Sequence, residues 1–200
     1  MNKTVLKVGI TGGIGSGKSY VSRMLEKKGM PIYDSDMSAK RLMIEDPCIR
    51  SGLVSLLGKD VYLNGSLNKS LIASYLFSSS ENASHINAII HPRVREDFLF
   101  WSQKQNALWV GMECAILFEA GFSNIVDFIV SVSAPVDIRI HRASLRDNTS
   151  EDAIRKRINA QMGEEERCRL SDFVVINDGT PLEPQIDSLL KILKSGKPFR

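Results

Sequence analysis

Cysteine is scarce in this chain. Cys48, Cys114 and Cys168 stand far apart and form no C-x-x-C pair, which excludes a disulfide framework and a zinc knuckle and points to a reducing compartment. Histidine is equally thin: His85, His91 and His141 occur without an H-E-x-x-H pattern, so no histidine metal site is expected. No apolar run approaches the roughly eighteen residues of a membrane span, and no charged leader with an apolar core precedes the first strand-like run. A cytoplasmic protein without membrane contact is expected. Charge of one sign is also lacking. The net charge is +3 and basic residues are interleaved with acidic ones, unlike the blocks or stripes of nucleic-acid binders. Phosphorylated small molecules are better expected partners than DNA, and no obligate protein partner is called for. There is no internal repeat and no low-complexity segment.

What is present is ordinary in bulk and specific in one place. Two hundred residues, 43% apolar and 24% charged, suit one soluble domain with insertions. Gly12-Gly13-Ile14-Gly15-Ser16-Gly17-Lys18-Ser19 matches G-x-x-x-x-G-K-[ST] at every fixed position. An apolar run from Val5 to Ile10 precedes it, and Val21, Met24 and Leu25 follow at helical spacing, so the loop should join a buried strand to an amphipathic helix. Backbone N–H groups of such a turn converge on phosphate because no Cβ blocks the approach and the first helical amides have no intrahelical partner. Lys18 would sit near the β- and γ-phosphates, and the Ser19 hydroxyl would ligate Mg²⁺, with Tyr20 the next residue on the nucleotide.

The helix should run from about Lys18 to Lys28 and end at Gly29, with a second strand at Met30–Tyr33. Asp34-Ser35-Asp36 follows it. Asp and Ser are favoured helix caps, and Met37 to Ile44 reads as helical; capping accounts for one of these residues but not for a carboxylate pair so soon after a phosphate loop. A catalytic or metal role for Asp34 or Asp36 is therefore the preferred reading. Residues 48–104 read as helices with polar turns such as Leu63-Asn64-Gly65-Ser66, and no strand is expected there. Within that insertion Arg93 and Arg95 suit an anionic acceptor or a solvated helix face, and His91 beside Pro92 reads first as a structural hydrogen-bonding residue.

Leu108–Cys114 is a third strand, and Glu113 at its end reads equally as a Mg²⁺-associated carboxylate or as a solvated strand end. Asp127–Val132 is a fourth, after which Pro135 opens a helix with Arg139, Arg142 and Arg146 on about one face. The densely charged stretch from Arg142 to Arg169 suits a lid whose arginines stabilise phosphoryl transfer. Asp172–Ile176 is a fifth strand, followed by the Asn177-Asp178-Gly179 turn and a helix from Pro181 to Lys194. Five short apolar strands separated by helices spell an α/β fold with a parallel sheet covered on both faces.

A phosphate loop alone serves many classes. D-x-x-G and N-K-x-D are absent, Asn2-Lys3 and Asn68-Lys69 being followed by other residues, and there is no LSGGQ-type segment. Neither a switch GTPase nor a transporter ATPase is expected. What remains is a small-molecule kinase, with a slow ATP-hydrolysing switch protein as the competing class.

The residues resemble one family throughout: dephospho-CoA kinase. The similar stretches are Ile10 to Ser19, Asp34-Ser35-Asp36, Ile90-His91-Pro92, Leu117-Phe118-Glu119, Arg142 with Arg146-Asp147, Arg157 to Gln161, and Asp172 to Asn177. The resemblance implies a three-layer P-loop kinase fold with a five-stranded parallel sheet. It implies a core of about 1–47, 105–141 and 170–200, a helical acceptor-binding insertion of about 48–104 and a lid of about 142–169. It also implies transfer of the γ-phosphoryl of ATP to the ribose 3′-hydroxyl of dephospho-CoA, the last step of coenzyme A synthesis, with Mg²⁺. By that likeness Asp34 matches the general base, Asp36 supports geometry or Mg²⁺, and Thr11, His91 and Arg93 lie on the acceptor side. Arg142 and Arg146 would be lid residues, and Asn177 would border the adenine. Ala115 and Lys69 depart from the proline and arginine usual in the family.

Overall fold

The computed structural model describes residues 5–195. The chain divides into two compact units, one formed by residues up to Tyr33 and from Ser102 onward, the other by Asp34–Trp101.

The first unit is built on a five-stranded sheet. Strand β1 (Leu6–Thr11) leads through the glycine loop into helix α1 (Lys18–Lys27), and β2 (Ile32–Asp34) follows. Past the second unit come β5 (Trp109–Glu113), β6 (Phe128–Ser133), α6 (Val136–Asp147), α7 (Glu151–Asn159), α8 (Glu164–Arg169), β7 (Phe173–Ile176) and α9 (Glu183–Lys194). The order across the sheet is β2-β5-β1-β6-β7, with β1 parallel to β5 and to β6, and β6 parallel to β7. The expected α/β architecture with its five strands is borne out, with element ends moved by one or two residues from the sequence reading.

Alternation along β1 explains the layering. Val8 and Ile10 are buried in a cluster with Val21 and Leu25 of α1 and Ile186, Leu189, Leu190 and Leu193 of α9. Those α9 positions recur at the spacing of one helix face. Gly9, on the alternate register, lies against Leu117 and Val126. Burying an aliphatic side chain of this kind contributes about 1.5–3 kcal/mol, so the central strand is held from both faces.

The second unit is mainly helical: α2 (Ser35–Glu45), α3 (Pro47–Leu57), α4 (Lys69–Ser78) and α5, which begins at Ser80 and ends at Gln103. Asp46 terminates α2 and caps α3, its carboxylate accepting from Cys48 and Ile49 N–H while Pro47 occupies the first turn. One expectation is corrected here. Between α3 and α4 lie two strands, β3 (Tyr62–Leu63) and β4 (Ser66–Leu67), paired antiparallel. Asn64 and Gly65 between them both have positive φ, as a two-residue hairpin turn requires. With two residues each, the strands are too short to show alternation in the sequence. The Tyr62 hydroxyl donates to the Met43 carbonyl at 2.6 Å, and Arg50 lies over its ring at 4.1 Å, tying the hairpin to α2 and α3. Helix α5 continues through Pro92. Among the described residues no helix is long and apolar enough to cross a membrane.

Candidate active site

The site grows from the end of β1. Gly15 and Gly17 adopt φ of 77° and 91°, left-handed values that side chains oppose, and Gly17 is the residue from which α1 starts. A Cβ at Gly12 would meet the Val132 carbonyl and the Ser16 hydroxyl, and one at Gly17 would overlap the Asn177 amide. Ser16 N–H donates to Gly13 O at 3.1 Å, closing the turn. Glycine is thus demanded by the packing of the loop as well as by its dihedral angles.

The β1–β5 register sets Ile10 beside Glu113, which brings that carboxylate to the foot of α1. Ser19 Oγ donates to Glu113 Oε1 at 2.5 Å, and Lys18 Nζ stands 3.4 Å from the same oxygen. Glu113 is nearly buried, so its charge is balanced by the ammonium rather than by water. In sequence Glu113 stands open between two roles; the structure joins it to the Lys18 and Ser19 side chains of the loop. Tyr20, one residue on, is half exposed on α1.

The turn after β7 reaches the loop as well. Asn177 N–H donates to Ser133 O at 2.7 Å, its side-chain amide donates to Ser16 O at 2.8 Å, and Arg142 donates to the Asn177 carbonyl at 3.1 Å. Asn177 and Arg142 are therefore gathered with residues 12–19. Arg146 is not. It makes a two-pronged pair with its neighbour Asp147, which also accepts from Arg157 at 2.7 Å.

Other expected site residues have evident structural partners. Thr11 is fully buried, its hydroxyl reaching the Ala115 carbonyl at 3.5 Å. Asp34 is exposed and caps α2, accepting from Met37 N–H at 2.9 Å, and Asp36 is exposed in the first turn of that helix. Arg93 grips Asp46 through Nε at 2.9 Å and Nη2 at 2.8 Å, both on Oδ2, and also pairs with Glu96; these charge-assisted contacts orient the guanidinium towards the α2–α3 junction. His91 is half-buried in α5, and burial pulls its imidazole pKa below the ordinary value.

Arg139 and Gln161 carry no expected site role in the sequence, yet both touch the loop. Arg139 Nε donates to Ile14 O, and Ile14 N–H donates to Gln161 Oε1, each at 3.0 Å. Burial lowers the Arg139 pKa against the opposing attraction of Glu164. Contacts spanning 125 and 147 residues leave no trace in local patterning.

The arrangement is a phosphate cradle with a cation, a hydroxyl and a carboxylate at its head, suited to holding a polyphosphate with a hard divalent ion. Comparisons with known proteins agree. The dephospho-CoA kinase family profile matches residues 6–183. A dephospho-CoA kinase of Bacteroides fragilis is 52% identical over 190 residues, covering 94% of this chain and 93% of its own. Another from Porphyromonas gingivalis is 39% identical over 196 residues, with 97% of each chain covered. A crystal structure from Thermus thermophilus superposes with a TM-score of 0.82 at 29% identity, covering 98% of this chain and 99% of the other. With the family profile spanning the sheet, the phosphate loop and the Asn177 turn together, the chain belongs to the dephospho-CoA kinase family.

Proposed function

We propose that this protein transfers the γ-phosphoryl group of ATP to the ribose 3′-hydroxyl of dephospho-CoA, giving coenzyme A and ADP. The observation that carries the reading is the convergence of Lys18 and Ser19 on Glu113 at the head of an intact phosphate loop, in a chain of this family. Phosphoryl transfer asks little covalent chemistry of a protein; positioning and charge stabilisation do most of the work. The loop amides and Lys18 hold the polyphosphate, Asn177 borders the base, and Arg142 from α6 meets the charge of the moving group. Asp34, an exposed carboxylate at the end of β2, orients the acceptor hydroxyl and takes its proton. The 48–104 segment, carrying His91, binds the rest of the acceptor, and the 142–169 segment serves as the lid.

The donor set suits Mg²⁺. Ser19 Oγ and Glu113 Oε1 are hard oxygen atoms 2.5 Å apart, and Mg²⁺ commonly takes one or two protein oxygens while phosphates and water complete its shell. Ser19 would hold it directly and Glu113 through water; Asp36 serves the geometry of the Asp34–Asp36 turn. When bound, the ion supplies charge neutralisation on the phosphates.

An acceptor panel tests the reading. ADP release is followed with ATP and dephospho-CoA, adenosine, nucleoside monophosphates or pantothenate. Stimulation by dephospho-CoA, with a 3′-phosphorylated product, is expected. Equal or greater stimulation by another alcohol would reassign the acceptor, and release indifferent to every acceptor would favour a slow ATP-hydrolysing switch.

A further inference from the structure

Ile14, in the first half of the phosphate loop, is held at three points by the segment that follows β6. Its N–H donates to Gln161 Oε1 and its carbonyl accepts from Arg139 Nε, both at 3.0 Å. Its side chain packs against Ile140 and Ala143 of α6 and Ile154 of α7, with Ile158 beside them. A loop residue with both backbone groups and its side chain engaged cannot shift without disturbing the α6–α7 hairpin.

The holders are themselves fixed. Arg139 and Arg167, both buried, donate to the same oxygen of Glu164 at 2.8 and 2.9 Å. Arg167 also donates to the Met162 carbonyl, and Met162 N–H donates to Glu119 Oε1 at 3.0 Å. Gln161 thus sits on a short stretch pinned on its C-terminal side. Two guanidinium groups against one carboxylate leave an excess positive charge in the interior, and a Cβ on Gly13 would overlap the Arg139 guanidinium. Buried charge without a full counter-charge is costly. An anion in the adjoining loop would offset that cost.

We propose that Arg139 and Gln161 are positioning residues for the nucleotide: by seating Ile14 they keep the phosphate loop in its anion-binding form and make the α6–α7 hairpin part of the triphosphate site. The proposal rests on the kinase reading above. It separates the residues that hold Ile14, namely Arg139, Ile154 and Gln161, from the exposed pairing of Arg146 and Arg157 with Asp147.

The test uses Gln161→Met, which keeps the bulk of a half-buried residue and removes the acceptor, and Ile14→Ala, which removes the side-chain anchor. Loss of a neutral hydrogen bond that leaves its donor unpaired typically corresponds to about a fivefold to tenfold effect on an equilibrium. KM for ATP and the dissociation constant for ADP are expected to rise by that factor in Gln161→Met and to rise in the same direction in Ile14→Ala, with KM for dephospho-CoA unchanged in both. The ADP titration needs no acceptor, so it stands even if the acceptor assignment fails. The proposal is overturned if thermal stability falls while ATP and ADP affinities stay put, since that is a purely structural role. It is equally overturned if both substrates' KM values rise together, or if ADP binds more tightly, which would make Gln161 a competitor for the Ile14 amide.

Discussion

Asp34 caps a helix, and the proposed reaction would give the same carboxylate a second task. It caps α2 by accepting from Met37 N–H, and the proposed reaction needs it as a base. Asparagine caps helices about as well as aspartate, whereas it cannot take a proton, so Asp34→Asn separates the two tasks. We expect kcat to fall by about 10²–10⁴-fold while melting temperature and ATP affinity stay near those of the parent. Asp34→Ala should show the same loss of turnover together with about 1 kcal/mol of lost stability from the missing cap. Steady-state kinetics beside urea denaturation reads both; an Asp34→Asn enzyme with ordinary kcat removes the residue from the chemistry. The pair of variants also explains why the D-S-D pattern is ambiguous in sequence, because capping and base chemistry select the same residue at the same place.

Among the elements, the junction between α6 and α7 has its own electrostatics. Hydrogen bonds from Arg146 and then Arg157 lower the Asp147 pKa from 3.8 to about 2. A carboxylate whose folded pKa is depressed adds stability that is fully present above its unfolded pKa and is lost as pH falls through the folded one. For Asp147 the window runs from about pH 4 down to about pH 2. Asp147→Asn should therefore lower the urea midpoint by a constant amount above about pH 5, equivalent to less than about 1 kcal/mol since the pairs are exposed. The gap should narrow as pH drops below 4; a gap independent of pH down to 3 would show that the arginines do not hold the charge. Other features differ in how far the sequence discloses them. The phosphate loop, α1 and α9 are visible because their signals are local: fixed glycines, a cap, apolar residues at helical spacing. The β3–β4 hairpin is hidden because two-residue strands carry no period, although the Asn64-Gly65 turn is written plainly. Arg139 and Gln161 are hidden for another reason. Each meets Ile14 only through the fold, and Arg139 looks in sequence like its neighbours Arg142 and Arg146, of which one reaches Asn177 and the other turns to Asp147.

At the scale of the whole molecule, binding and stability are linked. Lys18, Ser19, Glu113, Arg139, Arg142 and Asn177 all belong to the sheet-bearing unit, and the cradle they form depends on β1, β5, β6 and β7 keeping register. A ligand that binds only this folded arrangement stabilises it by RT ln(1 + [L]/Kd), about 2.7 kcal/mol at a hundredfold excess over Kd. For a protein of this length each kcal/mol moves the melting temperature by about 2–4 °C, so magnesium with a non-hydrolysable ATP analogue should raise it by about 5–11 °C. Adding EDTA should cut that shift, because the analogue then meets Glu113 without the divalent ion that reconciles a carboxylate with a phosphate at close quarters. Glu113→Gln isolates the cause: with the carboxylate neutralised, the penalty for omitting magnesium should shrink, although the full shift with magnesium should also be smaller. Scanning calorimetry across these combinations decides the matter. A parent protein whose shift is the same with and without EDTA would place the nucleotide's phosphates away from Ser19 and Glu113.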